Sequence, residues 1–298
     1  SLFLSVPNSF LIPFATNSSF TVGWIYGHVL PFYPRAKITL ISVGEDAVSQ
    51  TLVPFLLPAI RNLHDSLISL GIRTIRISTT FSLANLVKSP FPPSSAAFEN
   101  PILHQAIEPL LEFLRTTNSS FLVNIYPYTV YRANPQIPLG YALFQNHPFN
   151  FRDDVVTGVR YLNLFDMMVD SVVTSMAVVG YQDIPIVIAE TGWPSCSSVA
   201  GEKADANAEL AEIYLRGLVA HLRSGKGTPL RREGVVGAYI YRLTDENPAG
   251  LTRDWGILYA NMSKKYGNLQ LSISCALTFN MNTLAMFVVL LLTSLVYG

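Results

Sequence analysis

The sequence predicts an α/β fold built on a parallel sheet, on three observations. Short apolar runs recur along the chain, longer runs with helical spacing separate them, and carboxylates stand where several of the short runs stop. Leu2–Pro7, Ile38–Gly44, Thr74–Thr79, Phe121–Tyr126, Ile184–Ala189 and Val235–Leu243 read as buried strands, being brief, apolar and bounded by turn residues. Leu52–Leu70 carries apolar residues at helical spacing and stops at Gly71; His104–Arg115 and Tyr161–Val179 behave likewise, the latter followed by Gly180. Strand, helix, strand at this rhythm covers both faces of a parallel sheet. Open doubly wound sheets and closed barrels share that pattern, so it leaves the architecture open. The Ser89–Ser95 stretch, "SPFPPSS", reads as a long surface loop within a single domain.

Of the 298 residues half are hydrophobic and 13% are charged, with twenty acids against twenty bases. A balance of that kind gives no sign of a nucleic-acid or anionic-surface partner. From Cys275 onward there is no charged residue, over a stretch long enough to cross a bilayer. Small residues before it and an apolar tail fit a GPI-attachment signal; a tail anchor and a buried helix are the alternatives. Residues 1–270 therefore read as one catalytic-type domain and 271–298 as a hydrophobic anchor or signal segment. Asn17, Asn118 and Asn261 begin glycosylation sequons, which agrees with a secreted, cell-surface location. With Cys196 and Cys275 the only cysteines, no disulfide framework is expected.

Three strands end in acids: Glu45 and Asp46 after "ITLISVG", Glu190 after "IPIVIA", and Glu246 after "AYIYRLTD". In a β/α barrel all strand ends open onto one face, so acids far apart in sequence can converge there. An aspartate after a strand also often caps the next helix, and that plainer account applies to Asp46. Glu190 fits it poorly, since glutamate is a weak cap and "TGWPS" does not start a helix cleanly. Converging carboxylates beside aromatics point to glycoside hydrolysis, in which one carboxylic acid protonates the leaving oxygen and the other is nucleophile or base. Tyr126, Tyr128, Tyr131, Phe144 and Trp193 fall in or near loops after strands, where rings can stack on sugars, whereas Trp24 lies in a helical stretch and reads as core. The five histidines lack ligand spacing, no glycine-rich phosphate loop follows a strand, and no G-x-S-x-G elbow is present. No metal and no cofactor are expected. The basic run His221–Gly234 reads as a solvated turn.

At Ile188–Ser195, "IAETGWPS", the sequence resembles the signature of plant family 17 glycoside hydrolases, the glucan endo-1,3-β-glucosidases. The likeness extends through "LSVPN", "ISVG", "NIYPY", "YALF", "YLNLFD", "GTP", "DEN" and "WGILY", over nearly everything before the tail. It implies a (β/α)8 barrel of the TIM type in which Leu2 begins the third strand, so that the first two β/α units are missing from this chain. It implies Glu190 as nucleophile, Glu246 as a supporting glutamate, and Tyr126, Phe144 and Trp193 as cleft aromatics. The family's Gly-Asn-Glu, which holds the acid/base, reads Gly44-Glu45-Asp46 here. Asp46 thus stands for the catalytic glutamate and Glu45 for an asparagine that binds the sugar's 2-hydroxyl; Ala249 replaces a family lysine. Asp46 is one methylene short, and Glu45, by strand alternation, points away unless a bulge re-aims it. The expectation is a monomeric, retaining β-1,3-glucan hydrolase of the cell surface or wall, with a catalytically weakened glucan-binding protein as the alternative.

Overall fold

The computed structural model describes residues 2–87, 89–99, 103–245 and 253–269, together with the backbone of strands at 275–279 and 286–292. The main sheet begins with β1 (Leu2–Val6), β2 (Ile38–Glu45), β3 (Arg76–Ser82) and β4 (Phe121–Asn124). A small hairpin, β5 (Arg152–Asp153) with β6 (Arg160–Tyr161), precedes β7 (Ile186–Thr191); β8 (Cys196–Ser197) and β9 (Gly237–Ile240) follow, and β10 (Arg253–Asp254) pairs with β8. The strands β1, β2, β3, β4, β7 and β9 lie side by side in that order, each parallel to the next. All six strands expected from the sequence are there. Two further strands, β11 (Cys275–Phe279) and β12 (Met286–Leu292), extend the sheet antiparallel beyond β9 and bring β11 beside β1. The chain thus forms six parallel strands of a (β/α)8-type barrel, with a hairpin in the remaining arc. Residues 271–298, expected as an anchor segment, are described only in these two strands.

Helices cover the outside. They are α1 (Leu11–Thr16), α2 (Ser18–His28), α3 (Val53–Ser69), α4 (Leu83–Leu86), α5 (Glu108–Thr117), α6 (Pro127–Ala133), α7 (Leu139–Ala142), α8 (Leu164–Val178) and α9 (Ala208–Arg223). Asparagines start three of them: Asn17, Asn163 and Asn207 each accept a backbone N–H of the first turn, filling donors that helix geometry leaves over. One apolar layer lies between sheet and helices, with Trp24 buried in it as the sequence suggests. A second fills the barrel interior: Phe3, Leu40, Leu122, Val187, Ala189 and Tyr239, from five strands. Across that interior the Phe3 and Tyr239 rings approach to 5.0 Å, so the sheet curls far enough for its first and sixth parallel strands to touch through side chains.

Two stretches read from sequence as solvated are anchored. In the Ser89–Ser95 loop Pro93 is buried, and Ser94 donates to Asp154 from both its backbone N–H (2.8 Å) and its hydroxyl (2.7 Å). The basic run His221–Gly234 is not a free turn. Its Arg231 is 4% exposed and donates to the carbonyls of Ile184 (2.8 Å) and Gln182, while the backbone N–H of Leu230 and the hydroxyl of Thr228 reach Asp170 on α8. A guanidinium satisfied by main-chain carbonyls can be buried at tolerable cost, a pairing that charge counting does not reveal.

Candidate active site

The site forms where β2, β4 and β7 end. Two side chains on alternate positions of β7, Val187 and Ala189, already face the barrel interior, so alternation would turn Glu190 outward. A register slip prevents this. Val123 pairs with Ile188 and Asn124 with Glu190, so β7 gains one residue on β4 immediately before the glutamate. The same device recurs on β2, where Ser42 faces Ser78 and Glu45 faces Thr80: three steps on one strand match two on the other. Each slip is a bulge that re-aims the residue after it. Glu190 and Glu45 consequently turn toward one another, both against the alternation of their strands.

At the β2 end the bend is built from named parts. Gly44 takes φ +78°, and a Cβ there would stand 2.8 Å from Asn8 Oδ1, so a residue without a side chain is required on both counts. Asn8 brackets Glu45: its Nδ2 donates to the Glu45 carbonyl (2.8 Å) and its Oδ1 accepts the Glu45 N–H (2.9 Å). The backbone groups that the bulge leaves unpaired are thereby filled. Thr79 donates its hydroxyl to the Gly44 carbonyl at 3.2 Å.

The two carboxylates share one donor. Asn124 Nδ2 lies 2.8 Å from Glu45 Oε1 and 3.2 Å from Glu190 Oε2. Laid end to end these bonds put the two oxygens within roughly 6 Å of each other, compatible with the short carboxyl separation of retaining glycosidases. Tyr126 donates its hydroxyl to the same Glu190 oxygen at 2.7 Å. Burial pushes the Glu190 carboxyl up to about 8, the nearby Glu45 charge adds to this, and the Tyr126 hydrogen bond opposes it. Glu45, exposed at the rim, is also raised, by desolvation first and the Asp46 charge second, against the Asn124 hydrogen bond. The pair therefore holds a proton into the neutral range. Asn124 and Tyr126 both donate to Glu190, whereas Asn124 alone donates to Glu45.

Asp46, expected as the acid, is engaged at the end of β3. It adopts φ +46°, gives its N–H to the Thr80 carbonyl (2.9 Å), and its Oδ1 accepts the backbone N–H of Ser82 at 2.6 Å, at the entrance to α4. Its carboxylate fastens β2 to the end of β3, while Glu45, expected to face away, occupies the site. The bulge is the physical reason for both placements.

Among the expected aromatics, Tyr126 is at the site and two others are not. Trp193 is 1% exposed, its Nε1 bonded to the Asp205 carbonyl and its ring against Tyr128, Tyr131 and Tyr214. No ring face is left for a sugar. Phe144 packs against Phe165, Tyr214 and His221 on the α8–α9 side. Instead, half-buried Tyr241 and Trp255 stand at 6.3 and 5.2 Å from the Tyr126 ring. Trp255 opens the "WGILY" segment and Tyr241 lies near the end of the sixth apolar run; their positions after strands were the available signal. Glu246 lies outside the described residues, as does Ala249. Its neighbour Asp245 accepts Lys265 Nζ at 2.7 Å and the Gly256 N–H at 2.9 Å, and Lys265 is almost wholly buried.

A (β/α)8-type barrel with paired carboxylates at its strand ends defines a glycoside-hydrolase class of protein. Residues 1–270 match the family described as glycosyl hydrolases family 17, and the chain belongs to that family. It is 39% identical over 270 residues to glucan endo-1,3-beta-glucosidase 2 of Arabidopsis thaliana, covering 88% of this chain and 53% of that protein. It is 35% identical to a glucan endo-1,3-beta-glucosidase of Pisum sativum, covering 89% and 70%. The chain spans about half the length of most of the curated relatives it matches. Among solved structures it resembles CJP38, a beta-1,3-glucanase and allergen of Cryptomeria japonica pollen. That match has a TM-score of 0.81 and 33% identity over 89% of this chain and 82% of that one. A plant beta-glucan endohydrolase gives a TM-score of 0.77 at 29% identity, covering 88% and 82%.

Proposed function

We propose that this protein is a retaining glycoside hydrolase cleaving internal β-1,3-glucosidic linkages of a callose-like glucan. The observation that carries the reading is one buried amide, Asn124, donating to two carboxylates from different strands. The names of the relatives support the substrate class. In the reaction, a Glu190 oxygen attacks the anomeric carbon, and the bond to the departing sugar oxygen breaks as that oxygen takes a proton from a carboxyl of the Gly44–Asp46 corner. A glycosyl ester on Glu190 and a free sugar hydroxyl result. Water then attacks the same carbon and gives its proton back to the corner carboxylate. The ester bond breaks with its electrons returning to Glu190, and configuration is retained. Tyr126, Tyr241 and Trp255 supply ring surface beside the pair.

The test is reducing-sugar release from a soluble linear β-1,3-glucan. Release that vanishes in Glu190→Gln supports the hydrolase. Absence of release, with the glucan still retarding the protein in an affinity gel, would leave a binding protein. The Asp46 departure is what keeps that second reading in play.

We further propose a cell-surface or wall location with GPI attachment through the apolar segment after Ser274. Asn17, Asn118 and Asn261, the sequon asparagines, are all exposed, which supports passage through the secretory route. Release from membranes by a phosphatidylinositol-specific phospholipase is the expected result; a chain that stays in the pellet after that treatment would sink the attachment.

A further inference from the structure

We propose that Glu45, and not Asp46, is the proton donor of this site, held in place by Asn8 as a positioning residue. The assignment rests on the hydrolase reading above and goes beyond it by choosing between two adjacent acids. Two observations favour Glu45. It shares the Asn124 amide with Glu190, the nucleophile of that reading, whereas the Asp46 Oδ1 accepts a backbone N–H of β3 at 2.6 Å. The Glu45 side chain also stands at the exposed rim, whereas Asp46 is half-buried.

The direction of Glu45 is also built rather than incidental. Gly44 at φ +78°, the register slip against β3 and the two Asn8 bonds to the Glu45 backbone all act on this one residue. Together they turn the end of β2 so that the glutamate faces Glu190. The titratable groups facing Glu45 are Asp46 beside it, Glu190 on β7 and Tyr126 after β4. Loss of the Glu45 proton is opposed by desolvation first and by the Asp46 charge second, against the Asn124 hydrogen bond. In the reaction it gives that proton to the glycosidic oxygen as the C–O bond breaks. It regains one from the water that opens the Glu190 ester, so the enzyme ends as it began.

The experiment compares Glu45→Gln and Asp46→Asn on two substrates: a linear β-1,3-glucan, and a β-1,3-linked oligosaccharide of glucose carrying a dinitrophenyl leaving group, with and without azide. Glu45→Gln is expected to lower kcat on the glucan on the order of 100- to 10,000-fold. It should lose far less on the dinitrophenyl substrate, whose leaving group needs no proton, and azide should restore turnover with a β-glycosyl azide as product. It should also lose the fall in rate at high pH that marks an essential acid. Asp46→Asn should stay within about 10-fold on both substrates and show no azide rescue. Azide rescue and leaving-group dependence in Asp46→Asn, with Glu45→Gln near the unsubstituted rate, would overturn the assignment. An unsubstituted protein that turns over neither substrate would overturn the hydrolase reading and this assignment with it.

Discussion

The ends of β2 and β7 present the same residue type by the same one-residue slip, yet they support it differently. At β7 the glutamate is recessed, and its carboxylate is held by two side-chain donors, Asn124 and Tyr126. At β2 the glutamate is exposed, its carboxyl accepts from Asn124 alone, and its backbone is held by both polar atoms of the Asn8 amide. Tyr126 is a second donor that only the Glu190 carboxylate has, and the Asn8 clasp on the backbone is one that only Glu45 has. Two carboxyls can thus be given opposite roles by where their hydrogen bonds fall rather than by what they are.

The largest expected break of this pairing is Glu190→Gln. Glucan hydrolysis should fall at least about 10,000-fold, because a neutral amide oxygen is too weak a nucleophile to form the ester intermediate. Stability should move the other way. An acid whose folded pKa, about 8, lies above its unfolded value binds more protons folded than unfolded, so it costs stability increasingly as pH rises from about 4.3 toward 8. Glu190→Gln removes that cost. Thermal melts should show the variant more stable than the parent at pH 8 and equal to it near pH 4; a variant less stable at pH 8 would mean that Glu190 is ionised without strain.

Next in size is Asn8→Ala. It leaves every carboxyl in place and removes only the two bonds that hold the Glu45 backbone. A displacement of about 1 Å at a reacting group can cost roughly 100-fold, so kcat on the glucan should fall between about 10- and 100-fold with KM little changed. The high-pH limb of the rate should shift as Glu45 loses its place beside Glu190. An equal rise in KM with kcat intact would instead mark Asn8 as a binding residue. Melts would show about 1 kcal/mol from the lost bonds.

How much of this could be read from the chain depends on the kind of interaction. Glu190 was legible because an acid ending a strand before a non-helical "TGWPS" has few structural reasons to be there. The six parallel strands were legible from apolar runs and spacing. The direction of Glu45 was not, since strand alternation gives the opposite answer and the bulge depends on Asn8, more than thirty residues upstream, and on Thr80 of the next strand. Gly44 was the one local hint. Trp193 failed as a cleft residue for a similar reason: the Asp205 carbonyl that holds its indole comes from a loop whose path has no sequence signature. Rings at strand ends look alike in sequence, whether they face solvent like Trp255 or the core like Trp193.

A smaller effect is expected at the ion pair behind the β7 end. Glu202, 6% exposed, accepts from Arg253 at 2.6 and 2.7 Å, and the Arg253 contact, with help from Ser197, holds its carboxyl down to about 2. It ties the loop after β8 to β10. A depressed acid contributes stability that is present above its unfolded pKa near 4.3 and lost as pH falls toward 2. Glu202→Gln leaves Arg253 without its charged partner and should cost on the order of 3 kcal/mol at pH 7, with the difference from the parent shrinking below pH 4. The rate per folded molecule should change less than in Asn8→Ala.

The smallest expected effect is the one that separates the two acids of the β2 corner most sharply. Asp46→Ala removes the carboxylate that accepts the Ser82 N–H, and losing a cap of this kind costs about 1 kcal/mol. The positive φ of Asp46 adds a little more, since alanine fits the left-handed region less well than aspartate. Activity on the glucan should nonetheless stay within about 10-fold, because the bulge that aims Glu45 is fixed on its other side by Asn8 and Gly44. If Asp46→Ala were instead as damaging as Glu190→Gln while still melting cooperatively, the β2 end would owe its chemistry to the aspartate. The contrast between a held carboxylate and a held backbone would then have to be given up.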